Sequence, residues 1–573
     1  MSDDTPDEIE EGKRLIRHGG SGGLSLAERV SERFRRLAWR TPFHALRLRG
    51  RHPLKLIAVP EDPFAGDPRR GNALLDERMA FRGESIAFAD LDFAKPNWKP
   101  PFGEHLHSFA WLRDLSTVAP RAIGAPIAEA LMRAWLAVHA EKVSEPAWGA
   151  ELWGRRILHW TAHAPLILSS SDLVYRSLVL NTLARGARHL DRAADKAPAG
   201  VARIAAWCGV IAAGLLIPGG DPRRQIGEDG LTRAIEQAVH EDGGVAARAP
   251  LVQLDIIMLL TMLREVYTAR RLAPPAALSA ALGRMVPALQ GVCHADHGLS
   301  SWQGGGPVRP ERIDEIVAAT GVRARPLRQA RDWGYQRLAQ GDAVVIVDAA
   351  PPPIARLAAG GCASTLAFEM SDGAERLVVN CGGARAAIAQ IPQALADGLR
   401  TTAAHSTLIV GDSNSTAIHP DGTLGRGVAE VEQARQESAT GSRIEASHDG
   451  YARRFGFLHR RQLLLAADGR ELRGDDMLLP AGKRRKSAAA IFAIRFHLGA
   501  GVEAAPTADG MAALLRLPSG KLWQFRCRGG VLAIEESLWI DPDGRPVSTQ
   551  QIVVSGEATA GGETIGWALK RAT

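Results

Sequence analysis

The apolar residues of this chain change their spacing once, near residue 335, and that change limits what the chain can fold into. From 104 to about 325 they recur three and four apart, in segments near 107–118, 125–143, 149–164, 170–193, 199–217, 230–240, 250–270 and 275–291. That is the period of helices with one buried face. Turn signals such as Pro218-Gly219-Gly220 and Asp242-Gly243-Gly244 stop the segments. Beyond 335 come short runs of strand character: Ala343 to Val347, Gln462 to Ala466, Ala490 to Phe496, Ala512 to Leu517 and Leu522 to Arg526. Eight or so helices in series predict paired helices stacked into an arc or toroid. The strands predict an all-β domain of two packed sheets. The fold class expected is multidomain α + β, and 573 residues suffice for it.

The first hundred residues read differently. Residues 1–23 are acidic and then Gly/Ser-rich, the composition of a disordered tail. In 24–50, Leu26, Val30, Phe34 and Leu37 recur at helical spacing among Arg29, Arg33, Arg36 and Arg40. Such a basic amphipathic helix can lie on an anionic membrane surface or a polyanion, or dock on the body with a solvated Arg face. Residues 51–100 are Pro-rich and irregular, with a strand-like piece at Ser85 to Phe88. The domains expected are therefore 1–60 (tail and basic helix), 61–330 (helical) and 335–573 (sheets).

Composition narrows the partners. The net charge is +7 and the pI near 9.3, a balance that favours polyanions, although a coding bias toward Arg gives the same excess. The five Cys are irregularly spaced with no CxxC, which speaks against a disulfide framework or a zinc ribbon. The 13 Trp can stack on sugar rings or fill helix layers. The N-terminus lacks a signal-peptide pattern, and the run Ile204 to Pro218 is too short to span a bilayer, so the chain reads as cytoplasmic. No phosphate-binding Gly loop and no serine elbow occur, and no nucleic-acid partner is expected.

Residues 357–410 hold an apparent hairpin, Leu366 to Met370 and Leu377 to Val379 around Ser371-Asp372-Gly373, and a returning strand, Leu408 to Val410. Cys362, Asn380 and His405 lie near these strands, His405 among the hydroxyls of Thr401, Thr402 and Ser406. The pieces "LAFEM", "LVVNCG" and "RTTAAHSTLIV" resemble the C-terminal sheet domain of the heparinase II/III family of polysaccharide lyases. Weaker likeness runs from about Glu104, through "HSFAWLRDL" and "DGGVAARAP", to "HDGY" and "FGFLHRR". The resemblance implies an incomplete (α/α) toroid followed by an antiparallel β-sandwich. It also implies β-elimination on an acidic, uronate-containing polysaccharide. A non-catalytic glycan- or envelope-polymer-binding protein on the same scaffold is the alternative, and the family suggests the cell envelope or periplasm as an alternative location.

Placed against the family's pattern, Gly360, Cys362 and Ser364 stand where it has two His and an Asp, and Asn380 stands where an Asp follows the strand. His405 keeps the family's His. Val201 and Ala202 fall at its Asn-His pair, and Val252 and Gln253 at its catalytic Tyr-His pair. With His405 lacking two matching partners, no structural zinc is expected, nor any cofactor. A uronate lyase must neutralise the carboxylate, remove the C5 proton and protonate the leaving oxygen. His405, Tyr451 and His448 are the candidates for proton transfer. Arg400, Arg248, Gln253, Asn380 and His107 are the candidates for holding substrate. Two readings stay bland: Cys362 as a small core residue, and His448-Asp449-Gly450-Tyr451 as a turn.

Overall fold

The computed structural model describes residues 9–10, 12–17, 39, 41–50, 53, 55–95, 98–354, 360–385, 391–482 and 489–572. Helices run in series: Pro100–Ser108, Trp111–Val118, Arg121–His139, Ala150–Ala162, Leu173–Ala193, Val201–Leu216, Asp221–Ala238, Pro250–Ala269, Ala276–Gly291 and Pro310–Thr320. Asp172 caps the longest, its carboxylate accepting from the backbone N–H groups of Val174 and Tyr175. Helix Val201–Leu216 is buried almost all round and packs against Ala150–Ala162, Asp221–Ala238 and Pro250–Ala269. At its crossing with Ala150–Ala162 the backbones touch, because a Cβ on Gly154 would stand 2.0 Å from the Ala205 carbonyl oxygen. Trp135, Trp148, Trp153 and Trp160 fill this layer as core rings, with the Arg156 guanidinium 4.4 Å from the ring centre of Trp135 and 4.3 Å from that of Trp153.

The strands are β1 (Gly12–Arg17), β2 (Arg78–Phe81), β3 (Glu84–Ala87), β4 (Tyr335–Gln340), β5 (Ala343–Asp348), β6 (Phe368–Asp372), β7 (Glu375–Val379), β8 (Leu408–Val410), β9 (Glu430–Ser438) and β10 (Gly441–His448). They continue as β11 (Phe457–Ala466), β12 (Glu471–Pro480), β13 (Ala490–Leu498), β14 (Glu503–Pro506), β15 (Ala512–Arg516), β16 (Leu522–Arg528), β17 (Val531–Ile540), β18 (Pro546–Ala558) and β19 (Glu563–Arg571). One sheet runs β1-β9-β10-β11-β12-β19-β16-β15-β14 and the other β17-β18-β13-β7-β6-β5-β4, with β8 on β13. All their pairings are antiparallel. Burial alternates along β11, so Leu463 and Leu465 face the core with Phe368, Phe496, Phe525 and Trp567. The architecture is an incomplete (α/α) toroid followed by a β-sandwich, and the change of texture falls between Thr320 and Tyr335.

One reading of the sequence is corrected. Residues 12–17 are not a disordered tail but the edge strand of the larger sheet, held by Lys13–Glu432 at 3.1 Å and Arg17–Glu430 at 2.9 Å. The returning strand Leu408–Val410 is present and pairs with β13. Of the basic helix at 24–50, residues 24–38 and 40 lie outside the described residues. Its C-terminal part is docked on the helical layer: His44 Nε2 lies 3.0 Å from His189 Nδ1, and the Leu48 carbonyl accepts from Arg188 at 2.8 Å.

Candidate functional site

The helical layer meets the smaller sheet along a seam built from buried polar groups. Glu369 on β6 accepts at Oε1 from the backbone N–H groups of Ser301 (3.0 Å) and Asn380 (3.2 Å), and its Oε2 lies 3.0 Å from His294 Nε2. Burial pushes its carboxyl up to about 8, against the opposing pull of those donors. Further along, Arg248 Nη2 donates to Asp348 Oδ1 at 2.6 Å, and Ser364 and Gln303 donate to Asp348 Oδ2. Gln303 Oε1 accepts from the Cys362 N–H at 2.9 Å.

Three glycines then bring backbone onto backbone. Gly304, at φ 76°, would place a Cβ 2.6 Å from the Gly360 oxygen, and a Cβ on Gly383 would lie 2.1 Å from the Gly304 oxygen. The Arg385 N–H donates to Gly304 at 3.3 Å, so this contact aims Arg385 at the helical layer. Across from it stand Arg82, in the β2–β3 turn, and Glu104, on helix Pro100–Ser108. Desolvation lowers both guanidiniums, and Arg385 lowers Arg82 further. Desolvation and then Glu151 raise Glu104, although solvent reaches that side chain. Among the described residues neither arginine has an ion-pair partner, whereas nearby Arg155 is paired with Asp255 at 2.6 Å and Glu151 at 2.9 Å. Arg400 lies at the same edge, and beyond it opens a cavity of about 1540 Å³ lined by residues 352–354, most of 412–429 and 449–455.

The residues singled out from sequence are mostly turned inward. Arg248 is fully buried and donates to the Trp333, Ala350 and Pro351 carbonyls besides Asp348, so four of its five N–H donors are taken inside the protein. Gln253 donates to the Gly243 and Met285 carbonyls. Asn380 donates to Ser301 and Glu369 and accepts from the Ser406 N–H. His107 accepts from Trp135 Nε1 at 3.1 Å, and burial takes its ring down to about 3. Tyr451 donates to the Leu408 carbonyl from inside the sandwich, and burial raises its phenol. His448 Nδ1 accepts from the Gly450 N–H and its Nε2 meets His459. Each of these six is buried among protein partners.

His405 and Arg400 stay near the seam. His405 Nδ1 faces the Thr401 carbonyl at 2.7 Å; a carbonyl only accepts, so that nitrogen carries the proton and Nε2 keeps the lone pair. Arg400 donates to the Gly361 and Gly422 carbonyls and is half-buried. Cys362 is a buried core thiol raised to about 12 by burial. Arg82, Glu104 and Arg385 were not singled out from sequence, and the only sequence signal was the Gly382-Gly383 pair just ahead of Arg385. Among the described residues no helix is long and apolar enough to cross a membrane.

A helical arc joined to an antiparallel sandwich is the architecture the resemblance implied. Residues 322–568 match the family described as "Heparinase II/III-like, C-terminal", and the chain belongs to the heparinase II/III-like family. A curated relative, FtsZ-localized protein C of Caulobacter vibrioides (strain NA1000 / CB15N), is 31% identical over 552 residues, 92% of each chain. Among solved structures, a heparinase III superposes with a TM-score of 0.67 at 13% identity, covering 97% of this chain and 93% of its own. A heparan sulfate lyase from Pedobacter heparinus gives 0.59 at 14% identity, covering 96% and 91%. At such identities these two report the fold alone.

Proposed function

We propose that this chain is a non-catalytic member of its family that holds an acidic polysaccharide at the seam through Arg82 and Arg385. One observation carries the reading: Arg82 and Arg385 are both desolvated at the seam, and although the Glu104 carboxylate acts on both, among the described residues no carboxylate lies within ion-pair distance of either. An anionic group of a ligand relieves the repulsion between them and accepts their N–H forks. Elimination with a tyrosine as the acid is disfavoured, because that acid must reach the leaving oxygen. The chain has four Tyr, and all are buried: Tyr267 donates to Glu228, Tyr335 to the Arg248 carbonyl, Tyr451 to the Leu408 carbonyl, and Tyr175 is 2% exposed. The test is retention on an immobilised uronate polysaccharide at low salt, with the ultraviolet band of unsaturated uronate followed in the same sample. Wild type should be retained with no rise in absorbance, and Arg82→Gln with Arg385→Gln should elute early. A steady rise in absorbance would establish β-elimination instead.

A second reading concerns place. The relative that matches 92% of this chain is named for localisation with FtsZ, and the likeness supports a cytoplasmic protein that gathers with FtsZ. A fluorescent fusion that stays diffuse while FtsZ forms its normal structures would remove this reading and leave the ligand site untouched.

A further inference from the structure

The helical layer contains a second polar cluster, one turn along helix Ala150–Ala162 from Arg155. His159 lies in the last turn of helix Ala150–Ala162, and His163, one turn on, closes it. Their rings stack with centroids 6.3 Å apart and planes 13° from parallel. Asp62, from the irregular segment ahead of helix Pro68–Leu75, brings its Oδ2 to 3.1 Å from His163 Nε2. One ligating atom from each of Asp62, His159 and His163 falls within 4.8 Å of the others. His159 is 6% exposed, and its Nδ1 is buried with no partner among the described residues.

We propose that Asp62, His159 and His163 form a binding site for a first-row divalent transition ion of the zinc type. Two donors each ~2.0–2.1 Å from a tetrahedral zinc stand ~3.4 Å apart, and the cluster's spacing brackets that value. A buried imidazole nitrogen without a partner carries a desolvation cost that a metal bond removes. The carboxylate is already fixed: Arg113 Nε donates to Oδ2 at 2.8 Å and Nη2 to Oδ1 at 3.0 Å. That second contact orients the ligand, as outer partners of metal ligands do. It also offsets the carboxylate's charge, so the donor set is two neutral imidazoles and one balanced carboxylate. Calcium and magnesium require several oxygen ligands and are disfavoured; ions that favour imidazole fit. Metal at His163 Nε2 moves that nitrogen's proton to Nδ1, and three protein ligands leave the fourth position to water or another ligand.

The test is titration of the chelator-treated, tag-free full-length chain with cobalt(II) chloride, read by visible absorption and by elemental analysis after gel filtration. Wild type should bind about one ion per chain with the intense band of a tetrahedral site, and zinc should displace it. His159→Gln and Asp62→Asn, each of similar volume to the native residue, should weaken binding at least ~10-fold to 100-fold. Substitution of the exposed His297 should change nothing. No spectrum in the wild type, an octahedral aquo-type spectrum only, or equal binding by His159→Gln and Asp62→Asn would each overturn the site. Wild type alone decides the first two, so a variant that fails to fold does not shelter the proposal.

Discussion

Arg248→Met should uncouple the helical layer from the sheet. The substitution removes a 2.6 Å ion pair to Asp348 and donors to three carbonyls, at 2.8 Å (Trp333), 2.8 Å (Pro351) and 3.2 Å (Ala350). Both charged side chains are at most 1% exposed, so the stranded Asp348 carboxylate cannot turn to water. Its remaining donors are Ser364 at 2.7 Å and Gln303 at 3.4 Å. Leaving one member of a buried pair uncompensated costs ~3–5 kcal/mol. Each carbonyl that loses its donor adds ~1 kcal/mol, partly offset by the methionine's apolar burial. Adding Asp348→Asn removes the stranded charge, and the double variant should recover ~1–3 kcal/mol relative to Arg248→Met alone. The assay is urea unfolding followed by tryptophan fluorescence and by far-ultraviolet circular dichroism, because two domains need not unfold together. Wild type should show coincident transitions, and Arg248→Met should separate them. The reasoning fails if Arg248→Met lies within ~1 kcal/mol of wild type, or if the double variant is no better than the single. Loss of polysaccharide retention with an unchanged unfolding curve would return Arg248 to the ligand-facing role its sequence position suggested.

Glu369 gives a pH signature. Burial holds its carboxyl up to about 8, so its contribution to the fold is full below ~4.3 and is lost as pH rises through 8. Over that window the group changes stability by ~1.4 kcal/mol per pH unit; Glu369→Gln should flatten the decline in melting temperature between pH 5 and 8, and parallel curves would refute it. His405→Ala removes the bond to the Thr401 carbonyl and should lower the melting temperature by ~2–8 °C while retention per folded molecule stays at the wild-type level; a selective loss of retention would make His405 a ligand group. Deleting residues 24–38 should abolish sedimentation with anionic vesicles, and salt should weaken that of the full chain. Equal sedimentation of the two would leave only a helix docked on the body.

The architecture was legible because it rests on local periodicity. A helix such as Pro250–Ala269 shows its buried face within its own twenty residues, as Leu254, Ile257 and Leu263 do. In the strands, β11 alternates without help from the rest of the chain. The edge strand Gly12–Arg17 was missed for the opposite reason. Its short charged pattern becomes a strand only against Glu430 and Glu432, more than four hundred residues away in sequence. Tryptophan divided the same way: either reading of the excess was open from composition. Trp135, Trp148, Trp153 and Trp160 are core rings because helices distant in sequence close over them.

The candidate site was the least legible part, and the arginines show why. Arg248, Arg385 and Arg400 each sit in a loop or turn near the seam, and nothing local separates them. Their fates depend on which carbonyls and carboxylates the fold brings within 3 Å. Arg248 meets three carbonyls and a carboxylate, none nearer than 85 residues in sequence, which take four of its five N–H donors. Arg400 meets two carbonyls and is partly used. Among the described residues, Arg385 is held through its own backbone N–H on Gly304, and no carboxylate lies within ion-pair distance of its guanidinium. A guanidinium held by its backbone and left without a side-chain partner keeps all its donors for a ligand. Arg82, beyond the end of β2 at φ 46°, lies over the Phe81 ring at 5.4 Å and among the described residues has no carboxylate in ion-pair distance. Binding groups are therefore the polar residues the fold does not satisfy, a property of the closed structure that no short motif can carry.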